Sequence, residues 1–312
     1  KFFFGKSGSI HKNTIKFKKN SSYEHHNIDI RDHKKVEKIF KNNSKDIYAI
    51  IHAAAQPSHD WAYQNPLLDF DINARSTLIL LNYFKKYCKK SSFIFVSTNK
   101  VYGDNPNKIK LKSINGRYYP KNKNHYAKGF NEELSTDKCL HSFFGTSKLY
   151  ADIIVQEYGK NFNLNTVCFR AGCITGPMHA GAELHGFLSY LVKSTIKKEK
   201  YNIFGFNGNQ VRDNIHSSDL VNCFWNYLKS PTKGEVYNIG GGLKNSISIN
   251  EALKYIESKL NIKIKKKYFS KSRSGDHAWY ITDYSKFKKK YPNWIQKYSI
   301  KKILNELINL YN

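Results

Sequence analysis

Phe93-Ile-Phe-Val-Ser-Thr-Asn-Lys-Val-Tyr-Gly103 is the stretch whose reading decides the fold. Its first four residues are apolar and rich in aromatic and β-branched side chains, which reads as a short buried strand. The strand delivers Ser97 and Thr98 to a turn. The segment Phe143-Phe-Gly-Thr-Ser-Lys148 opens a helix expected over 143–162. Lys148 lies four residues after Phe144, one helical turn along the same face. Working outward, a short strand over 47–52 ends in Ala53-Ala-Ala-Gln56, and a helix over 67–87 is apolar at Leu67, Phe70, Leu78, Leu81 and Phe84. Another strand is expected over 166–169. Ile28-Asp-Ile-Arg-Asp32 reads as a strand end and turn, followed by an amphipathic helix through Val36, Ile39 and Phe40. Strands alternating with helices predict an α/β fold with a doubly wound parallel sheet.

After Gly172 the character changes. The pattern predicts helices over 184–196, 218–228, 250–260 and 299–310, with strands over 236–239 and 262–269. This is the signature of a smaller, mixed α/β cap interleaved with the sheet. The expected division is 1–171 for the sheet domain and 172–312 mainly for the cap. A complete doubly wound domain opens with a strand and a glycine-rich phosphate loop. Gly5-Lys-Ser-Gly8 is the nearest approach and reads as ordinary loop. The chain begins Lys1-Phe-Phe-Phe, and its only methionine is Met178. The expectation is therefore a sheet lacking its first strand, glycine loop, first helix and second strand.

Composition narrows the functional classes. The 312 residues are 40% hydrophobic and 15% aromatic, enough for a sizeable core. No apolar run is long enough to span a bilayer as a helix. The cysteines Cys88, Cys139, Cys168, Cys173 and Cys223 are odd in number and scattered, which predicts reduced thiols and a cytoplasmic setting. Glu183 and His185 have no third ligand nearby in sequence, so no metal is assigned. The formal charge of +28 raises nucleic-acid binding as a minority reading. The lysines are dispersed, however, as on solvated helix faces, and a basic surface also suits an anionic small substrate.

The two opening segments resemble the Ser/Thr and Tyr-x-x-x-Lys elements of the extended short-chain dehydrogenase/reductases. Ala53-Ala-Ala-Gln-Pro-Ser-His-Asp-Trp61, the 97–103 segment, the 181–190 segment and Val211-Arg-Asp-Asn-Ile-His-Ser-Ser-Asp219 most resemble its CDP-paratose (CDP-tyvelose) 2-epimerase branch. The resemblance implies a Rossmann-like fold, bound NAD, a nucleotide-sugar substrate, a homodimer, and epimerisation through a transient keto sugar. It implies cofactor contacts from Asp29, Ile30, Ala53, Ala54, Ala55, Gln56, Asn73 and Lys148, with Asn73 bracing the active-site strand. Thr98 and Lys148 take the catalytic positions. Thr98, Asn99, Cys173, Arg212 and Arg273 take the substrate side, the arginines gripping a diphosphate as planar bidentate donors. Asp213, His216 and Asp219 are expected to tie loop to sheet.

One departure stands out. Phe144 occupies the usual tyrosine position, and a phenyl ring cannot accept the proton of a sugar hydroxyl. Lys148, Tyr102, Tyr126 and His141 are the candidates to replace it. The alternatives are a non-catalytic nucleotide-sugar-binding homologue and, less favoured, a nucleic-acid-associated protein.

Overall fold

The computed structural model describes residues 11–179, 181–183 and 186–311. The helices are α1 (His11–Lys18), α2 (His33–Asn42), α3 (His59–Gln64), α4 (Pro66–Phe70), α5 (Ser76–Tyr87), α6 (Phe143–Asn161), α7 (Phe187–Ile196), α8 (Ser217–Lys229), α9 (Ile249–Leu260), α10 (Ser285–Lys290) and α11 (Ile300–Tyr311). The strands are β1 (Ala49–His52), β2 (Ser92–Thr98), β3 (Leu111–Ile114), β4 (Arg117–Pro120), β5 (Asn165–Ala171), β6 (Cys173–Thr175), β7 (Tyr201–Phe204), β8 (Val211–His216), β9 (Glu235–Ile239), β10 (Ser246–Ser248), β11 (Lys266–Phe269) and β12 (Trp279–Tyr280).

The main sheet has the order β1-β2-β5-β9, and all its neighbours run parallel. Alternation along β2 explains its two buried faces. Phe93 and Phe95 face Val36, Phe40, Leu81 and Phe84 of α2 and α5 and the inner face of α6. Ile94 faces the other way, with Phe169 of β5, onto α8 and α10. Helices thus cover both sides, as parallel sheets require. At Gly159 a Cβ would meet the Gly234 backbone nitrogen and Thr166 Oγ1, both at 2.3 Å. Only glycine lets α6 approach the β5–β9 edge so closely.

The smaller part has a mixed arrangement. β8 pairs antiparallel with β10 and parallel with β12 and β6. β7 and β11 form a separate parallel pair. Here α7, α9 and α11 enclose a second core around Leu191, Ile203, Leu253 and Leu304. β9 rejoins the main sheet after this excursion, so the two parts are interleaved.

Several local expectations change. Residues 28–32 form no strand; they end in a turn, and Asp32 caps α2 by accepting the Lys35 N–H. The helix expected over 67–87 is interrupted by a π-helical turn at Asp71–Arg75. The strand expected from 262 starts at Lys266. The helix expected from 184 is seen from Phe187; Leu184 and His185, like Gly5-Lys-Ser-Gly8, lie outside the described residues. Among the described residues, no helix is long and apolar enough to cross a membrane.

Candidate active site

The C-terminal ends of β1, β2 and β5 open into a cavity of about 390 Å³. This is where open parallel sheets bind ligands, because strand ends and helix starts leave backbone groups exposed there. Ala53, Ala55, Thr98, Asn99, Phe144 and Lys148 line the sheet side. Cys173, Arg212 and Arg273 line the cap side, joined by Lys100, Glu183 and Asp276. Both halves of the expected site therefore share one enclosure.

Lys148 is buried, with its Nζ donating to the Val96 carbonyl at 2.8 Å and lying 4.0 Å from the Phe95 ring centre. Burial pushes its pKa down to about 8, although Asp152 and Asp69 favour the charged form. Thr98 caps the short turn after β2 by accepting the Lys100 N–H. Its neighbour Ser97 points the other way and donates to Asp152 at 2.5 Å. Asp152 also holds buried Arg170 at 2.8 Å. Ser97 therefore supports the strand, and Thr98 faces the cavity.

A buried polar network braces the rim. Asn73 accepts the Gln56 N–H at 2.9 Å and donates to the Gln56 carbonyl at 3.0 Å, so it pairs with that backbone in both directions. Asp69 accepts from Gln56 at 2.6 Å, from Asn73 at 3.0 Å and from Ser147 at 2.6 Å. Burial raises the Asp69 pKa against those hydrogen bonds. The π turn rotates Asn73 towards β1 while keeping Asp69 in reach. Neither Asp69 nor Ser147 was expected from the sequence, since a helical Asp and a helical Ser ordinarily face solvent.

Opposite the sheet lies a cationic cluster. Arg212 donates to Asp276 at 2.8 Å, and Arg273 Nε lies 4.0 Å from the same carboxylate. Lys100 Nζ donates to the Gly275 carbonyl at 2.8 Å. Burial opposes ionisation of Asp276, but Arg212, Lys100 and Arg273 outweigh it and hold its pKa below the ordinary range. Burial brings Lys100 down to about 8. Three cations against Asp276 and Glu183 leave a net positive wall suited to a phosphorylated ligand. Lys100 was within the quoted stretch but carried no expected role. Burial pushes the Cys173 thiol up to about 11, which keeps it protonated.

Other expected residues lie elsewhere. Asp29 is exposed and ion-paired with Arg31 at 2.6 Å, and neither it nor Ile30 lines the cavity. Ala54 is exposed at the end of β1. Asp213 accepts the Gly242 and Thr282 N–H groups, and Asp219 accepts those of Lys297 and Tyr298. His216 caps α8. These three tie segments together.

Of the candidates to replace the missing tyrosine, only Lys148 reaches the cavity. Tyr102 is buried against Asn238 and Arg170, and burial raises its pKa to about 12. Tyr126 packs on Phe130 and Trp279. His141 bonds the Val101 carbonyl at 2.8 Å.

The cavity fits the nicotinamide–ribose end of a dinucleotide. Small side chains at Ala53, Ala55, Ala171 and Gly172 leave room over the strand ends, and Lys148 places a buried ammonium beside them. Gly5 and Gly8, the nearest approach in the sequence to a pyrophosphate turn, lie outside the described residues.

Known proteins place the chain in a family. Residues 8–240 match the model of the NAD dependent epimerase/dehydratase family. A CDP-paratose 2-epimerase of Salmonella typhi is 32% identical over 241 residues, covering 75% of this chain and 69% of that protein. A UDP-glucuronate 4-epimerase of Thermodesulfobacterium geofontis is 28% identical over 292 residues, 94% of this chain and 80% of that protein. The structure of a dTDP-glucose 4,6-dehydratase from Bacillus anthracis, in complex with NAD, superposes with a TM-score of 0.74 at 24% identity, covering 96% of this chain and 83% of that one. The chain belongs to the NAD-dependent epimerase/dehydratase family.

Proposed function

We propose that this protein is an NAD-dependent nucleotide-sugar epimerase of the CDP-paratose 2-epimerase kind. One observation carries the reading. A single cavity joins Thr98 and Lys148 at the strand ends to Arg212 and Arg273 on the cap and to Lys100 in the turn after β2. Bound NAD would supply the acceptor for, and later the donor of, the hydride removed from a sugar ring carbon.

The chain's own residues do the rest. Residues 1–171 carry the nicotinamide side and 172–312 most of the substrate side. Lys148 would hold the nicotinamide-ribose hydroxyls, and the cavity face of Ala53 and Ala55 leaves space for the cofactor. Thr98 would hydrogen-bond the oxygen that alternates between hydroxyl and keto. The Arg212–Arg273–Lys100 wall would grip the diphosphate, displacing part of the Asp276 pairing. Remote binding energy from that grip can hold the keto sugar while the ring presents its other face.

Epimerisation is favoured over dehydration by the residues after Thr98. Loss of water from a sugar needs an acid beside the leaving hydroxyl. Asn99, directly after Thr98, is a neutral amide and supplies no such acid.

A second reading rests on Phe144. Without a hydroxyl there, the chain would bind a nucleotide sugar and leave it unchanged. Incubation with NAD and CDP-paratose, UDP-glucuronate or UDP-glucose separates the two. Epimerised product, with deuterium retained at the epimerised carbon, supports the enzyme. Saturable binding without product on any of the three favours the binding protein.

We also infer a homodimer. Tyr63, Leu67 and Phe70 from α3 and α4 form one exposed apolar stripe with Phe143, Tyr150 and Ile153 of α6. Tyr63 packs on Phe143 and Phe70 on Tyr150, so the stripe is continuous across the elements. Such a patch on one face favours pairing with a second copy.

A further inference from the structure

The cap lining carries two side chains to which the diphosphate grip gives no role. β7 alternates: Tyr201 and Ile203 are buried in the cap core, while Asn202 and Phe204 share the other face and line the cavity. Asn202 Nδ2 donates to Glu183 Oε1 at 2.7 Å. Glu183 lines the cavity as well, and Arg273 donates to its backbone carbonyl at 3.1 Å. Gly181 lets this segment lie against α7, since a Cβ there would come within 2.5 Å of the Tyr190 nitrogen. Backbone and side chain of Glu183 are thus both held in place. Among the described residues, Glu183 Oε2 and the second Nδ2 hydrogen of Asn202 have no hydrogen-bond partner. Asp276, the other carboxylate on this side, is taken up by Arg212 and Arg273.

We propose that Glu183 and Asn202 read the nucleobase and select cytosine over uracil, a proposal that rests on the nucleotide-sugar reading above. A nucleotide sugar with its reacting carbon at Thr98 and its diphosphate on Arg212 and Arg273 must seat its nucleoside on the cap lining that remains. There the pair offers an acceptor and a donor side by side. The order of the two is fixed, because a turned Asn202 amide would set its oxygen against the Glu183 carboxylate. Cytosine presents an amino donor at N4 beside an unprotonated ring nitrogen at N3. Glu183 Oε2 accepts from N4, and Asn202 Nδ2 donates to N3.

Uracil and thymine present the reverse edge, a carbonyl at O4 and an N–H at N3. Oxygen would then face oxygen and N–H would face N–H, with all four groups covered by the ligand and unpaired. The ribose hydroxyls are the rival partner, since a carboxylate also accepts from a sugar hydroxyl. A hydroxyl donates or accepts as its neighbour requires, so that arrangement would give no preference between bases.

The test measures binding of CDP, 2′-deoxy-CDP and UDP to the full chain by calorimetry. The wild type should bind CDP about tenfold or more tighter than UDP. It should bind 2′-deoxy-CDP within about threefold of CDP. Glu183→Gln should bring CDP and UDP within about threefold of each other by strengthening UDP, because a glutamine amide presents its oxygen or its nitrogen as the base demands. The gain for UDP also shows that the variant folds. Equal affinity of the wild type for CDP and UDP, or a preference for CDP that survives in Glu183→Gln, overturns this proposal alone. Affinity lost with the 2′-hydroxyl, without a preference between bases, overturns it in favour of the ribose. A wild type that binds none of the three overturns the nucleotide-sugar reading and this proposal with it.

Discussion

Lys148 is a cation kept where cations are costly. Its ammonium is removed from water, compensated by one carbonyl, one aromatic face and the nearby Asp152 and Asp69 carboxylates. Its folded pKa of about 8 lies below the ordinary 10.5, so below about pH 8 the folded state bears the full cost of the buried charge. Between about 8 and 10.5 the unfolded chain holds a proton that the folded chain has released, so stability rises with pH across that window. Lys148→Met should therefore stabilise the protein at neutral pH by about 1–2 kcal/mol, after discounting the lost bond to Val96. Turnover should fall sharply in the same variant. Thermal melts in series from neutral to alkaline pH check this. The gap between the two proteins should narrow above about pH 8, and a constant gap would deny that the amine is buried as a cation. At this scale the sequence showed which residue types were present, and Phe144 was visible in it. The neighbour that touches Phe144 was not, because the His59 ring, 5.0 Å away between centres, comes from a distant segment.

At the scale of elements, the π turn at Asp71–Arg75 decides what the β1 rim can do. Asn73 lies within this turn and pairs there with the Gln56 backbone in both directions. Asn73→Ala removes both partners of the Gln56 peptide and one donor to Asp69. It should destabilise by about 1–3 kcal/mol and lower kcat/KM, since the Ala53–Gln56 segment loses its brace. Chemical denaturation and steady-state kinetics on the same sample measure both. Wild-type stability with impaired turnover would locate Asn73 in ligand contact instead. Helix 67–87 was legible by its apolar period, but its interruption was not. That choice comes from the buried Asp69–Gln56–Ser147 network, which spans three distant segments. The reading of 28–32 as a strand end failed for a related reason. Its side chains suit a strand, yet among the described residues this backbone has no ladder partner, and Asp29 turns back onto Arg31.

The cores of the main sheet and of the cap meet across the candidate site, and an apolar stripe faces outward. Leu67 is 83% exposed and Ile153 47%, which a solitary surface would rarely tolerate in one continuous band. Leu67→Glu with Ile153→Glu should convert a dimer to a monomer with intact secondary structure, as read by sedimentation and circular dichroism. A wild type that sediments as a monomer would remove the dimer inference. The charge of +28 is a property of the same scale. Arg212, Arg273 and Lys100 converge on one cavity wall; the two arginines were expected there, and Lys100 was invisible in a chain where lysine occurs almost everywhere. The sequence by itself determined the alternation of strands and helices, the Thr98 and Lys148 positions and the absence of a hydroxyl at 144. The alternation depends on local period and spacing, which a chain carries with it, and the three positions on the resemblance of their segments to the family's motifs. Only the tertiary structure decided that Lys100 and Asp276 complete the arginine pair, that Asp69 anchors the β1 rim, and that His59 stands against Phe144. Those are contacts between segments distant along the chain, and packing of the two cores sets them.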